Sequence, residues 1–295
     1  FYSFFWNACL PQFETLTLSH LEAEPESYSR IRLWGSVGFI AAVIGVGYLI
    51  DVGSVGMVPY AGLLAFTMLW LASLQVRVHK HDEATVERAS IRSIIFRREV
   101  LAFFVVCFFL QMSHGPFYAF YTLFLEEHAY DHSTIGILWS LGVVAEIVIF
   151  LFSSYLICRV SPRRLIIISL VLGVIRWTLV GALPDILWLQ IVAQLMHAAT
   201  FGVMHTVAML CLQRFFPRQH QGRGQALYTS LSFGLGIAIG NYLAGMLWDS
   251  VGGEWVFGFS ALCCLIALPA AVLIILQPVE KGSVESASPC QPPCE

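Results

Sequence analysis

Glu146 and Arg176 each sit inside a long apolar stretch, and their pairing is the strongest chemical signal in the chain. A charged side chain near the centre of a bilayer costs about 3 kcal/mol on insertion scales, so such residues face an interior cavity and serve function. Arginine keeps its charge and grips a carboxylate through two parallel N–H bonds. A carboxyl group beside it holds or releases a proton according to whether the guanidinium is occupied. A proton on Glu146 and an anionic solute on Arg176 would therefore bind together. The plainer alternative is a static pair that only fixes helix packing.

A short basic turn near Val160 separates the two residues, and both lie roughly 20 Å from it at helical rise, so they can meet at mid-depth. Other polar residues fall on matching faces. Trp139, Gly142, Glu146 and Ser153 share one helical face, and Ser169, Gly173 and Arg176 share another. Gln111, His114, Gly115, Tyr118 and Thr122 form a third stripe, with a kink expected at Gly115-Pro116. Gln190, Gln194, His197 and His205 lie close together on a helical wheel. His114 could relay protons, or it could simply bond one helix to the next, as could His197 and His205. Asn7, Pro11 and Glu14 share a face, with Glu14 a second cavity acid or a surface partner of the Arg30 region.

The elements that must carry these groups are nine apolar runs: 1–21, 33–50, 58–76, 100–125, 134–157, 165–183, 187–213, 225–248 and 254–276. Each is about long enough to cross a hydrocarbon layer as a helix. Fifteen of the sixteen Lys and Arg residues fall in alternate gaps or the tail, and the sixteenth is Arg176. The intervening gaps carry Asp51, Glu126, Glu127, Asp131, Asp185 and Asp249. Short cytoplasmic loops are enriched in Lys and Arg, which places the basic side and the C-terminus inside the cell.

Composition agrees: 58% hydrophobic, 12% charged and a mean hydropathy of +0.75 leave too little polar surface for a soluble globule of 295 residues. A net charge of -3 says little about partners, and nothing points to nucleic acid. No zinc-protease helix motif, nucleophile elbow or phosphate-binding glycine loop is present, which disfavours an enzyme. Glu126, Glu127, His128, Asp131 and His132 read as a solvated external face rather than a metal site. The eight cysteines form no C-x-x-C pair: Cys9, Cys107, Cys158, Cys211, Cys263 and Cys264 read as reduced structural thiols in or beside helices, and Cys290 and Cys294 belong to the tail, so no metal or cofactor is expected.

The polar, basic stretch 77–99 divides three runs from six and reads as a cytoplasmic linker. It separates a domain at 1–76 from one at 100–276, with a disordered Ser/Pro-rich tail at 277–295. Trp34, Ser36, Phe39 and Tyr48 recur as Tyr228, Ser230, Phe233 and Tyr242 at a constant offset, an echo expected of two related six-helix halves. The chain opens on Phe1 within an apolar run, so three helices are expected to precede it, making these helices four to twelve of twelve. Gly38 with Ala42, and Gly236 with Gly240 and Ala244, allow close helix packing.

Three segments carry a family resemblance: F-F-W-N-A-C-L-P-Q-F-E at 4–14, Y-S-R-I-R-L-W-G-S-V-G-F at 28–39 and G-I-L-W-S-L-G-V-V-A-E-I-V-I-F at 136–150. With G-V-I-R-W at 173–177, they resemble the 3-phenylpropionic acid transporter-like branch of the major facilitator superfamily. The resemblance implies an all-α membrane bundle with nine of twelve transmembrane helices present, alternating access and proton symport. It also implies that Glu146 and Arg176 match the family's embedded acid and arginine, and that Glu14 stands where relatives carry an acid. One departure is visible: Cys158, not an acid, precedes the basic cluster Arg159, Arg163 and Arg164.

These observations converge on a proton-coupled carrier of a small organic solute, acting as a monomer in the bacterial inner membrane. An aromatic carboxylate is favoured by Arg176 lying among Trp139, Trp177, Tyr118 and His114, with Gln111, Gln194, His197 and Asn241 as further binding residues. Glu146, Arg176 and Glu14 would couple the proton. A sugar or nucleoside symporter is the alternative and would use Gln111, Gln190, Gln194 and Asn241 for hydroxyl groups. A channel or receptor is more remote, since a channel needs a continuous ring of pore-lining groups.

Overall fold

The computed structural model describes residues 27–75, 91–217 and 220–274, and every regular element among them is helical. The run at 1–21 with Glu14, most of the 77–99 linker and the tail at 277–295 lie outside the described residues. The other eight apolar runs all fall on helices, because backbone groups in lipid must be satisfied within their own segment.

The chain divides into two compact units, residues 1–86 with 131–140, and residues 87–130 with 141–295. In the first, α1 (Ser27–Val52) leads through a 3-10 turn at Val55–Met57 into α2 (Val58–Ser73). Pro59 opens α2, where its missing N–H costs nothing. No residue of α2 is buried, and Tyr60, Leu63 and Trp70 are exposed. A helix apolar on all sides is what lipid solvates.

The second unit begins at the end of the linker with the short α3 (Arg92–Ile95), followed by α4 (Arg98–Glu127). Thirty residues span about 45 Å, so α4 outreaches the hydrocarbon layer at its ends. Then come α5 (His132–Arg159), whose first turns belong to the first unit, α6 (Pro162–Ala182), α7 (Leu187–Phe215), α8 (Gln221–Val251) and α9 (Gly253–Val272). Seven helices among the described residues are long and apolar enough to cross a membrane, and Trp34–Ile50 within α1 is a shorter apolar stretch.

Helix α4 forms the centre of this unit and is buried along most of its length. Helix α9 packs against both α4 and α6, α8 packs along α4, and α7 packs against α6. Helices α4 and α8 touch through bare backbone. A Cβ added to Gly115 would stand 2.8 Å from the Asn241 amide nitrogen, and one added to Gly240 would run into Met112 O. Pro116 removes the amide that would otherwise bond Met112 O, and that carbonyl lies against Gly240. Gly252 makes the tight turn from α8 to α9 at φ 87°, a conformation side chains resist.

Two of these spans are not uniform α-helix. Helix α7 carries a π-helical turn at Ala198–Val203, and α8 carries one at Thr229–Gly236. Such wide turns are rare and recur at functional sites.

Candidate functional site

Helix α6 delivers Arg176 into the middle of the second unit, where the side chain is wholly buried. Its Nη1 donates to Thr200 Oγ1 at 3.0 Å and His197 Nδ1 at 3.1 Å, both from α7, and approaches His114 Nε2 of α4 at 3.4 Å. Two hydrogens serve three acceptors, so the longest of these contacts is the weakest. The guanidinium carbon lies 4.6 Å from the Phe117 ring centre and 4.1 Å from that of Trp177. Such contacts contribute about 2 kcal/mol each when desolvated, and here they replace water around the charge. Arg176 Nε and Nη2 have no hydrogen-bond partner among the described residues. One edge of the fork is thus anchored while the other still has N–H groups to offer.

The histidine tautomers follow from these partners. His114 Nδ1–H donates to Leu110 O at 2.8 Å, which leaves Nε2 as an acceptor for Arg176. Arginine can only donate, so His197 Nδ1 must also be unprotonated and the ring proton sits on Nε2. His197 Nε2 faces Glu146 Oε2 at 3.7 Å. Glu146 is itself buried on α5. A single imidazole thereby joins the buried acid to the buried arginine.

Small residues make room for this arrangement. A Cβ on Gly142 would lie 3.1 Å from Gln194 Oε1 and 3.6 Å from His197 Cδ2, placing both side chains against α5 one turn before Glu146. A Cβ on Gly202 would lie 3.5 Å from Glu146 Cγ. Buried Gln194 has no hydrogen-bond partner for either amide atom among the described residues, and Gln111 Oε1 and Asn241 Oδ1 are likewise unmatched. Buried polar atoms without partners are uncommon in folded proteins, and each one is a position able to receive a further hydrogen-bonding group.

The sequence-predicted residues therefore divide. Glu146, Arg176, His114 and His197 are brought together, with Gln194 beside them. Tyr118 is partly exposed on α4, its ring 6.1 Å from that of His114. Trp139 is half-buried on the part of α5 that belongs to the first unit. Gln190 is engaged elsewhere, accepting from Tyr121 OH at 3.4 Å and donating to Leu183 O at 3.2 Å. His205 continues the column of rings that starts at His197: Phe201 is stacked between them, 5.2 Å from His197 and 6.3 Å from His205, centre to centre.

Thr200, Phe117 and Ser113 were not singled out from sequence. Thr200 follows His197 by three residues and so shares its face, the one signal that could have found it. Ser113 accepts from Trp177 Nε1 at 3.2 Å and from Cys264 Sγ at 3.4 Å, fixing the ring beneath the guanidinium. Cys107, Cys211, Cys263 and Cys264 are free thiols, and no metal-ligating cluster occurs among the described residues.

At the opposite end of α4 from the linker, the loop residues have structural roles. Asp131 Oδ2 accepts from Thr134 N–H at 3.1 Å, capping α5, and this bonding by Thr134 holds its carboxyl below the usual value. Tyr130 OH donates to Pro184 O at 2.8 Å, and burial, with Asp185 nearby, raises its phenol.

The chain matches the family described as MFS_1 like over residues 1–259. It is 32% identical over 286 residues to the probable 3-phenylpropionic acid transporter of Escherichia coli (strain K12), covering 92% of this chain and 71% of that one. The maltose permease of Geobacillus stearothermophilus is 26% identical over 285 residues, 95% of this chain and 70% of the permease. Among solved structures, the nucleoside transporter NupG matches with a TM-score of 0.68 at 15% identity, over 89% of this chain and 72% of that one. At that identity the likeness is one of fold.

Proposed function

This chain belongs to the MFS_1 like family of the major facilitator superfamily, whose relatives here are membrane transporters of small solutes, and on that footing we propose that it is a proton-coupled symporter of an aromatic carboxylate such as 3-phenylpropionate. The observation that carries this reading is the half-anchored guanidinium of Arg176, buried between aromatic rings with Nε and Nη2 unmatched. A carboxylate takes two such N–H groups side by side. The rings of Phe117 and Trp177 supply an apolar wall for an aromatic body.

Coupling runs through His197. While Arg176 holds Nδ1, the imidazole stays neutral and its Nε2–H points to Glu146. A carboxylate that draws the guanidinium away frees Nδ1 to accept a proton, so anion and proton enter together. Alternating access between two six-helix halves, of which residues 1–76 form helices four to six of the first and residues 100–276 the second, joined by the 77–99 linker, then carries both across. Glu14 is a second acid for that proton path. The carrier acts as a monomer in the bacterial inner membrane with its C-terminus in the cytoplasm, following the basic loops.

A second reading, a proton symporter of an oligosaccharide or nucleoside, is favoured by the unmatched amide atoms of Gln111, Gln194 and Asn241, which suit hydroxyl groups. Proteoliposomes with an imposed proton gradient separate the two readings. Labelled 3-phenylpropionate should accumulate and be lost when a protonophore is added. Accumulation of maltose or a nucleoside with no uptake of 3-phenylpropionate would select the second reading, and uptake indifferent to the protonophore would remove proton coupling.

A further inference from the structure

Helix α7 carries three aromatic rings in a column at four-residue spacing: His197, Phe201 and His205. Their planes are nearly parallel, 16° apart between the first two and 7° between the second two. From His197 to His205 is about 12 Å at helical rise, and the step leads away from the Arg176 site towards Arg214 at the basic end of the helix. Phe201 also borders the other imidazole of the site, lying 6.3 Å from His114, centre to centre.

Phe201 lies within the π-turn of α7, and Phe233 within that of α8. The two rings meet edge to face at 6.1 Å and 86°, so both wide turns face each other through one aromatic contact. Gly202, next along the same turn, is pressed against Glu146 of α5, where a Cβ would lie 3.5 Å from Cγ. Beyond Phe201, His205 is half-buried and meets Phe150 of α5 and Phe233 edge-on, at 6.4 Å each. Tyr228 of α8 brings a phenol to the same ring at 6.3 Å.

We propose that His205 is a proton station on the basic side of the coupling site, and that Phe201 with Phe233 forms the apolar barrier between the two. This role rests on the proton symport proposed above. With solute drawing Arg176 away, His197 is an imidazolium. When Phe201 turns aside, water enters; His197 gives that water one proton and returns to neutral. The water passes a proton to the lone-pair nitrogen of neutral His205, which then loses it to water at the basic end. One proton moves, and each imidazole ends neutral. With the rings in place, an apolar constriction excludes the water that would carry the proton. Wide helical turns recur at functional sites, and here two of them carry the two rings of the barrier. A column that only packed helices would be served as well by phenylalanine at position 205.

Proteoliposomes of the full chain, loaded with a pH-sensitive dye, test this. His205→Phe keeps the column and removes the proton carrier, so gradient-driven uptake of 3-phenylpropionate should fall roughly 100-fold, as for loss of a positioned proton-transfer group. Exchange of labelled for unlabelled solute should be unchanged, a split that a packing role would not produce. Phe201→Ala should admit protons with no solute present, where wild-type vesicles stay tight. Phe233→Ala opens the same barrier and serves if Phe201→Ala does not fold. Wild-type uptake indifferent to a protonophore would sink proton symport and this role with it. Protonophore-sensitive wild-type uptake combined with normal uptake by His205→Phe, with equal loss of its uptake and exchange, or with tight vesicles for both phenylalanine variants would overturn the role of these rings alone.

Discussion

His197 presents Nδ1 to the Arg176 guanidinium at 3.1 Å, and because arginine only donates, this one contact determines which way the ring's proton faces. It faces Glu146, 3.7 Å away. The state of the arginine is thereby legible at the carboxyl group through one aromatic ring.

Glu146→Gln keeps the shape of the site and removes its exchangeable proton. It should abolish accumulation driven by a proton gradient while preserving exchange of labelled for unlabelled solute across the membrane. Normal accumulation by this variant would take Glu146 out of the coupling role.

Arg176→Lys replaces a planar fork with a point charge. Hydrogen bonds to charged groups contribute about 1.5–3 kcal/mol, so carboxylate binding should weaken by roughly 10- to 100-fold. Neutral solutes should lose little. Equal losses in a binding assay with a carboxylate and its amide would count against anion recognition at this residue.

At position 197, glutamine can still offer an acceptor to Arg176 and an N–H to Glu146, whereas phenylalanine can offer neither. His197→Gln should therefore retain more gradient-driven uptake than His197→Phe. If both variants fail alike with intact binding, the ring does more than bridge.

Overpacking at the α4–α8 contact costs about 1–3 kcal/mol. Gly115→Ala places its methyl 2.8 Å from the Asn241 amide nitrogen and should lower the thermal midpoint of the purified chain. Gly62→Ala, which has open space around it, should not. A midpoint unchanged at both positions would mean that the two backbones separate easily.

The Asp131 cap has a defined pH signature. Its folded carboxyl is held below the unfolded value by Thr134, so the capped form is favoured above the unfolded pKa and that advantage is lost as pH falls through the folded pKa. Asp131→Asn should remove this acid-side dependence and keep the cap. Titration of Asp131 by carbon NMR at or above 3.8 would contradict it.

The helices were legible because lipid demands apolar cover over their whole length: the run at 100–125 became Arg98–Glu127, and that at 165–183 became Pro162–Ala182. Glu146, Arg176, His114 and His197 stood out for the same reason, since a polar group in such a run must face inward. Thr200 did not, because a helical threonine hydroxyl ordinarily bonds its own backbone. Phe117 read as core, and nothing in its type announces a ring against a guanidinium. The π-turns carry no compositional mark, so residue spacing offered no sign of them.

Pro116 and Gly240 are two halves of one fitting. The imino acid frees a carbonyl on one rod, and the absent side chain on the other leaves a socket for it. Neither half has a use without its mate, so tolerance of change at either position is set by what occupies the other. With no side chain wedged at this crossing, the two rods approach main chain to main chain, closer than interlocked side chains would let them come.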